Sequence, residues 1–319
     1  MNHSLKIFTV SALASALAAC GGGGSGSVGG DSTGTMSLGL TDAPVTDLSE
    51  ANLNITSVEI KPSEGESVTV QIETENGENF LNINLLDFQG GKVAQLFEGQ
   101  EFPAGEYEWI RLHLGANPYV KEDSATPDTR VDLFVPSGFQ TGLKLQGGFV
   151  IPAEGSADFT IDFDVRKSIV NAGARGTDNS KYILKPSHRL IDNTAAGSII
   201  GDIDYGSIKQ DSNFAACDYE GSVYVYDGVV AAENLTDLNS ENLETDNGPL
   251  VVVPVTNPDS STLYSFKAAF LPAGEEYTIA YSCQTDDNEQ EDTLEFLGVQ
   301  TLTVEANVAT EAATIPLVQ

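Results

Sequence analysis

Apolar residues in this chain recur at every second position, and that period excludes most folds before any other property is considered. The runs Met36-Ser-Leu-Gly-Leu40, Leu53-Asn-Ile-Thr-Ser-Val-Glu-Ile60, Val68-Thr-Val-Gln-Ile72, Leu81-Asn-Ile-Asn-Leu85, Trp109-Ile-Arg-Leu-His-Leu114 and Phe159-Thr-Ile-Asp-Phe-Asp-Val165 all follow it. Successive side chains of a strand point to opposite faces, so such a run buries one face and leaves the other wet. Gly, Pro and Asn clusters separate the runs, as turns require. Many short strands at this spacing predict an all-β chain built as two β-sandwich-like domains. Helical periodicity is nearly absent, and at most one short helix is expected, around residues 91–97.

A boundary is expected where the run Tyr182-Ile-Leu-Lys-Pro-Ser-His-Arg-Leu-Ile191 ends and Gly197-Ser-Ile-Ile-Gly-Asp-Ile-Asp204 begins. Charge changes there as well. Residues 36–193 hold 24 acidic and 12 basic residues, whereas residues 194–319 hold 22 acidic and only 2 basic ones, Lys209 and Lys267. The expected domains are therefore 35–193 and 194–319. A formal net charge of −32 excludes nucleic acid as a partner, because phosphate contacts need Lys and Arg. It fits either general acidity suited to a salty habitat or a cation-binding surface. Pro103-Ala-Gly-Glu-Tyr107 and Pro272-Ala-Gly-Glu-Glu-Tyr277 repeat one device, a Pro/Gly turn before a Tyr-led strand, with nothing around it in common.

The N-terminus has the three parts of a secretory signal: Lys6, an uncharged apolar stretch over residues 7–16, and small residues before Cys20. The apolar stretch is too short to cross a bilayer, which takes about 20 apolar residues. Leu17-Ala-Ala-Cys20 resembles the lipobox of bacterial lipoproteins. The resemblance implies removal of residues 1–19 and lipidation of Cys20, whose acyl chains hold the protein to the membrane. Gly21, rather than Asp, follows Cys20, which by the same resemblance favours the outer membrane of a Gram-negative cell. The Gly/Ser-rich residues 20–34 then read as a flexible tether. With Cys20 assigned to lipid, Cys217 and Cys283 remain in an oxidising compartment, either as a disulfide or as two buried free thiols.

Six ordered blocks carry a further resemblance: Leu40-Thr-Asp-Ala-Pro-Val45, Asn84-Leu-Leu-Asp-Phe88, Pro103 to Tyr107 with Ile110-Arg-Leu112, Val135-Pro-Ser-Gly138 with Gly142-Leu-Lys144, Ile161-Asp-Phe-Asp164 with Lys167-Ser-Ile169, and Tyr182-Ile-Leu-Lys-Pro186. Residues 36–191 thereby resemble a bacterial family catalogued as domain of unknown function 4382. That resemblance implies an exported, all-β domain and brings no activity and no catalytic residues with it. The segment from Gly197 to Ile203, together with residues 264–279, is similar to the prealbumin-like β-sandwiches of carboxypeptidase regulatory and collagen-adhesin B-type repeats. Such domains serve as stalks, spacers or binding modules.

No catalytic constellation emerges. His113 alternates with Arg111 and Trp109 on a polar strand face, His188 sits beside Arg189, and a Gly-x-Ser-x-Gly nucleophile elbow is absent. Asp162 and Asp164 share one strand face, either salt-bridged to nearby basic residues or binding a cation. Asp286, Asp287 and Glu289 lie in the densest acidic stretch, expected to be a solvated loop and a second candidate for Ca²⁺. Arg166, Lys167, Arg175, Lys181, Lys185 and Arg189 form the opposite pattern, read either as internal counter-charge or as a docking face. The reading is a non-enzymatic, lipid-anchored envelope protein that binds or displays, with a glycan or another envelope protein as ligand and no cofactor other than Ca²⁺. A purely structural stalk and a carboxylate-based glycan hydrolase are the alternatives.

Overall fold

The computed structural model describes residues 32–316 except 44–47, 73, 75–76, 123–128, 137–140, 172–181, 186, 211–216, 218–219, 240–247, 258–262 and 288–289. The signal, Cys20 and most of the tether lie outside the described residues. Residues 32–319 make up one compact unit. Its first thirteen strands are β1 (Thr33–Ala43), β2 (Leu48–Pro62), β3 (Val68–Gln71), β4 (Leu81–Asn84), β5 (Ala94–Pro103), β6 (Gly105–Leu114), β7 (Tyr119–Glu122), β8 (Arg130–Phe134), β9 (Leu143–Ile151), β10 (Ser156–Asp164), β11 (Ile169–Asn171), β12 (Tyr182–Leu184) and β13 (His188–Asp192). Seven follow: β14 (Ala196–Ile203), β15 (Ser222–Asp227), β16 (Val251–Pro254), β17 (Tyr264–Pro272), β18 (Glu276–Ser282), β19 (Leu297–Thr303) and β20 (Ala309–Glu311).

The chain is mostly β, and its sheets form β-sandwich-like domains. A four-stranded sheet in the order β13-β10-β1-β5 packs on a nine-stranded one in which β2 pairs with β3, β4, β6 and β7. Met36, Leu38 and Leu40 of β1 meet Leu53, Val58, Ile60, Ile110 and Leu112 in one core. Here the period-two pattern works as expected: in β6, Ile110, Leu112 and Leu114 are buried while Trp109, Arg111 and His113 are half-buried on the other face. β1 runs parallel to β10, with Leu38 opposite Phe159 and Leu40 opposite Ile161. Parallel neighbours need a long crossover, and here the crossover contains most of the larger sheet.

The helix expected around residues 91–97 is not formed. Ala94 and Leu96 are buried in β5, which pairs antiparallel with β1. Their two-residue spacing fits the pleat, and two glycines at positive φ, Gly90 and Gly91, turn the chain just before it. Short helices occur instead at Val165–Ser168 and Tyr205–Gln210.

A second core lies between the sheets β17-β14-β20 and β16-β15-β18-β19, with Ile199, Phe266, Leu271, Val223, Val225, Ile279 and Tyr281 inside. Both faces of β15 are covered. Its outer residues Tyr224 and Tyr226 join Val252 and Leu238, with Phe296 and Leu294 packed on them, in a third cluster. That explains the unbroken apolar run of β15, since a strand buried on both sides has no wet face to mark. Gly197, the second residue of β14, lies where a Cβ would be 2.2 Å from the Glu305 carbonyl oxygen, so no larger residue fits.

The repeated turn device has one geometry in both places. The buried Tyr107 donates its hydroxyl to the Pro103 carbonyl at 2.7 Å, and the buried Tyr277 donates to the Pro272 carbonyl at 3.1 Å. Each ring fills the core while its hydroxyl ties the strand back to the turn that precedes it.

Candidate metal centre

Two irregular segments cover the outer face of β15, and each brings carboxylates under cover with it. Asp237 comes from the first, only 2% exposed; Asp286 and Asp292 come from the second, Asp286 at 4% and Asp292 half-buried. One carboxylate oxygen from each lies within 4.8 Å of the others. The backbone locks this convergence: the Asp292 N–H donates to Asp237 Oδ2, and the Asp287 N–H donates to Asp292 Oδ2 at 2.7 Å.

Asp286 is the hub. Its Oδ2 accepts from the Tyr224 hydroxyl at 2.9 Å and from an Arg166 guanidinium nitrogen at 2.8 Å. Its Oδ1 is buried without a hydrogen-bond partner. Arg166 comes from the helix Val165–Ser168, far earlier in the chain, and both side chains of the pair are almost wholly buried. Burial pushes the Asp286 carboxyl above its ordinary range, against the pull of Arg166 and Tyr224. Burial also pushes Asp237 up, aided by the negative charges of Asp286 and Asp292 and opposed by the Asp292 N–H. Three carboxylates and one guanidinium leave an excess of negative charge in a poorly hydrated place. A proton held among the oxygens relieves it, and so does a cation that takes oxygen ligands. The donor set and the partnerless Asp286 Oδ1 fit a metal ion.

The other expected site residues are distributed along the same seam. Asp162 forms an ion pair with Arg189, and the Asp164 carboxylate accepts the Lys167 N–H at 3.2 Å and pairs with its ammonium at 3.2 Å. Lys167 extends further, donating to the carbonyls of Pro249 and Leu250 at 2.9 Å each. Arg166, Lys167 and Arg189 thus face inward, whereas Lys185 is exposed. Arg175, Lys181 and Glu289 lie outside the described residues. Asp162 and Asp164 stand apart from the triad. Asp286 belongs to it, and Asp287 serves it through its backbone. Cys217 and Cys283 form a disulfide, with their Cα atoms 4.8 Å apart, which fixes the chain three residues before Asp286. Burial holds the His188 imidazole below its ordinary pKa.

Asp237 was not legible as a ligand in the sequence, and Asp292 was visible only as the last residue of the acidic stretch that begins at Asp286. Asp237 stands alone in Leu235-Thr-Asp-Leu238, and its 49-residue distance from Asp286 matches no loop motif. The one sequence signal was the covering role of Leu235 and Leu238, apolar residues in a segment too irregular to be a strand.

The parallel β1–β10 pair, the nine-stranded sheet and the Tyr107 turn all fall within the segment that matches a family model described as Domain of unknown function (DUF4382). Residues 33–186 are a DUF4382 domain. Arg166 and Lys167 are therefore the DUF4382 domain's contribution to the seam, and Asp237, Asp286 and Asp292 come from the chain that follows it. No curated protein matches the chain. Among solved structures, the major pilin from Streptococcus pyogenes aligns over 89% of this chain and 97% of its own, at 10% identity and a TM-score of 0.15. A likeness that low carries no argument.

Proposed function

We propose that the chain is a non-enzymatic lipoprotein of the cell envelope, anchored through Cys20 in the outer membrane of a Gram-negative cell, that binds or displays a ligand and holds Ca²⁺ at Asp237, Asp286 and Asp292. The observation that carries this reading is the burial of the convergent carboxylates. A glycan hydrolase presents its two carboxylates to a cleft that admits a sugar chain. Here Asp237 and Asp286 lie beneath covering segments at 2% and 4% exposure, joined to a guanidinium that belongs to the domain before. Buried oxygens of this kind suit a structural cation better than a substrate. The two sheets around the second core support the prealbumin-like reading of residues 194–319, a module of stalks and binding domains.

The test is a calorimetric titration of the chelator-treated full chain with Ca²⁺, with melting followed in parallel. Saturable heat and a raised melting temperature, both lost in Asp237→Asn, are expected. No heat and no shift overturn the calcium site. Incubation with a glycan array and with envelope extracts tests the rest. A ligand recovered unchanged supports the binding role, a turned-over one overturns the non-enzymatic reading, and no retained ligand leaves a stalk.

A further inference from the structure

The outward face of the larger sheet carries chemistry that the fold does not consume. Cross-strand register places Glu59, Arg111 and Lys144 side by side on β2, β6 and β9, with Trp109 and Gln146 in the next row. Trp109 is the single tryptophan of the chain, and it is half-buried on this solvent face rather than in a core. The Arg111 guanidinium lies 4.4 Å from its ring centroid and the Lys144 ammonium 4.9 Å. The carboxylate of the row is already committed. Glu59 accepts Arg111 at 2.9 Å and meets His113 Nε2 at 3.1 Å, and these hydrogen bonds help hold its carboxyl below the ordinary range, against burial. Lys144 is exposed, and among the described residues the Trp109 ring is the contact its ammonium makes.

We infer that this face is the ligand-binding surface and that its ligand is a carboxylate-bearing polysaccharide. The inference rests on the binding role proposed above and gives it a place and a chemistry. Three features meet the three parts of a uronate chain. The indole ring offers an apolar plane to the C–H face of a pyranose ring. Lys144 opposes the carboxylate, with its cation–π contact to Trp109 holding it in position. The exposed Gln146 amide donates and accepts with hydroxyls. A sheet face that exposes Lys144 and Gln146 suits an extended polymer better than a small molecule, for which enclosing pockets are usual.

Because Trp109 is the single tryptophan, its emission reports on this surface alone. The full chain is titrated with polygalacturonate and with its methyl ester, and retention on immobilised polygalacturonate is measured alongside. A saturable change in emission with the acid, none with the ester, and at least a tenfold loss of affinity in Lys144→Gln are expected, with the circular dichroism of the variant unchanged. Retention with unaltered emission, or retention that Lys144→Gln leaves intact, overturns this surface while the binding role stands. Absence of retention on this polymer, with another envelope ligand retained, overturns the polysaccharide; no retention of any ligand overturns the binding role itself. Sedimentation decides the remaining occupant: self-association abolished by Lys144→Gln assigns the face to the acidic half of a second copy and overturns the polysaccharide.

Discussion

Arg166 and Asp286 stand 120 positions apart in the chain and meet at 2.8 Å with almost no access to solvent. Between them they join the DUF4382 domain to the segment that covers β15. A buried pair of this kind is costly to break from one side, because the remaining charge keeps its desolvation and loses its partner.

Arg166→Met is expected to destabilise the chain by about 3–5 kcal/mol, and Asp286→Asn, which removes a charge that burial already disfavours, by less. The double variant is expected to lose clearly less than the sum, since no uncompensated charge remains. Urea denaturation of the four proteins measures the cycle. Additive losses would show that the two residues act independently.

The raised carboxyls of Asp237 and Asp286 give a pH dependence of definite sign. Between the ordinary aspartate value of 3.8 and the raised folded values, the folded state holds more protons than the unfolded state. Stability from these groups is therefore greatest at low pH and falls as pH rises through that window. With chelator present at neutral pH, Asp237→Asn is expected to be more stable than the unaltered protein. The difference should close on acidification below that window. Added Ca²⁺ is expected to reverse the order, because the cation stabilises only the carboxylate form. Thermal melts across pH, with and without Ca²⁺, read all three outcomes.

Reduction of the Cys217–Cys283 disulfide reopens a loop with a sequence separation of 66. The chain-entropy relation puts the loss at about 4 kcal/mol. Because Cys283 lies three residues before Asp286, reduction is also expected to weaken Ca²⁺ binding. Parallel denaturation and calorimetry on reduced and oxidised protein check both effects, and unchanged affinity would separate the disulfide from the site.

Tyr107→Phe and Tyr277→Phe keep the buried rings and remove one hydrogen bond each. Each is expected to cost about 1 kcal/mol, and the two costs should add, because the turns belong to different cores. A loss much larger at one tyrosine would mean that its hydroxyl holds more than the turn.

What the sequence disclosed follows from how local each signal is. The alternation in β6 placed His113, Arg111 and Trp109 on one face because strand direction is a two-residue property. The Pro–Gly–Tyr device was visible because its atoms lie within five residues of one another. Asp237 was not, because its partners arrive by tertiary packing across strands that carry no record of the meeting. The short helix Val165–Ser168 was hidden for a related reason: its N-cap is Asp164, the last residue of a strand whose alternating pattern runs on through Val165. The basic stretch could be read two ways from composition, and partners as remote as Asp286, Pro249 and Leu250 decide between them for Arg166 and Lys167.

The position of β1 has a mechanical consequence. It is the first strand after the glycine-rich segment, and it lies inside its sheet, bonded to β10 on one side and β5 on the other. A pull from the N-terminus is therefore applied along a strand clamped on both edges, so that its hydrogen bonds, which run across the strand direction, are loaded together in shear rather than one at a time. Rupture under such a load is set by the rate of unfolding and not by equilibrium stability. A fold entered through its central strand can hold its load under tension even where its overall stability is modest.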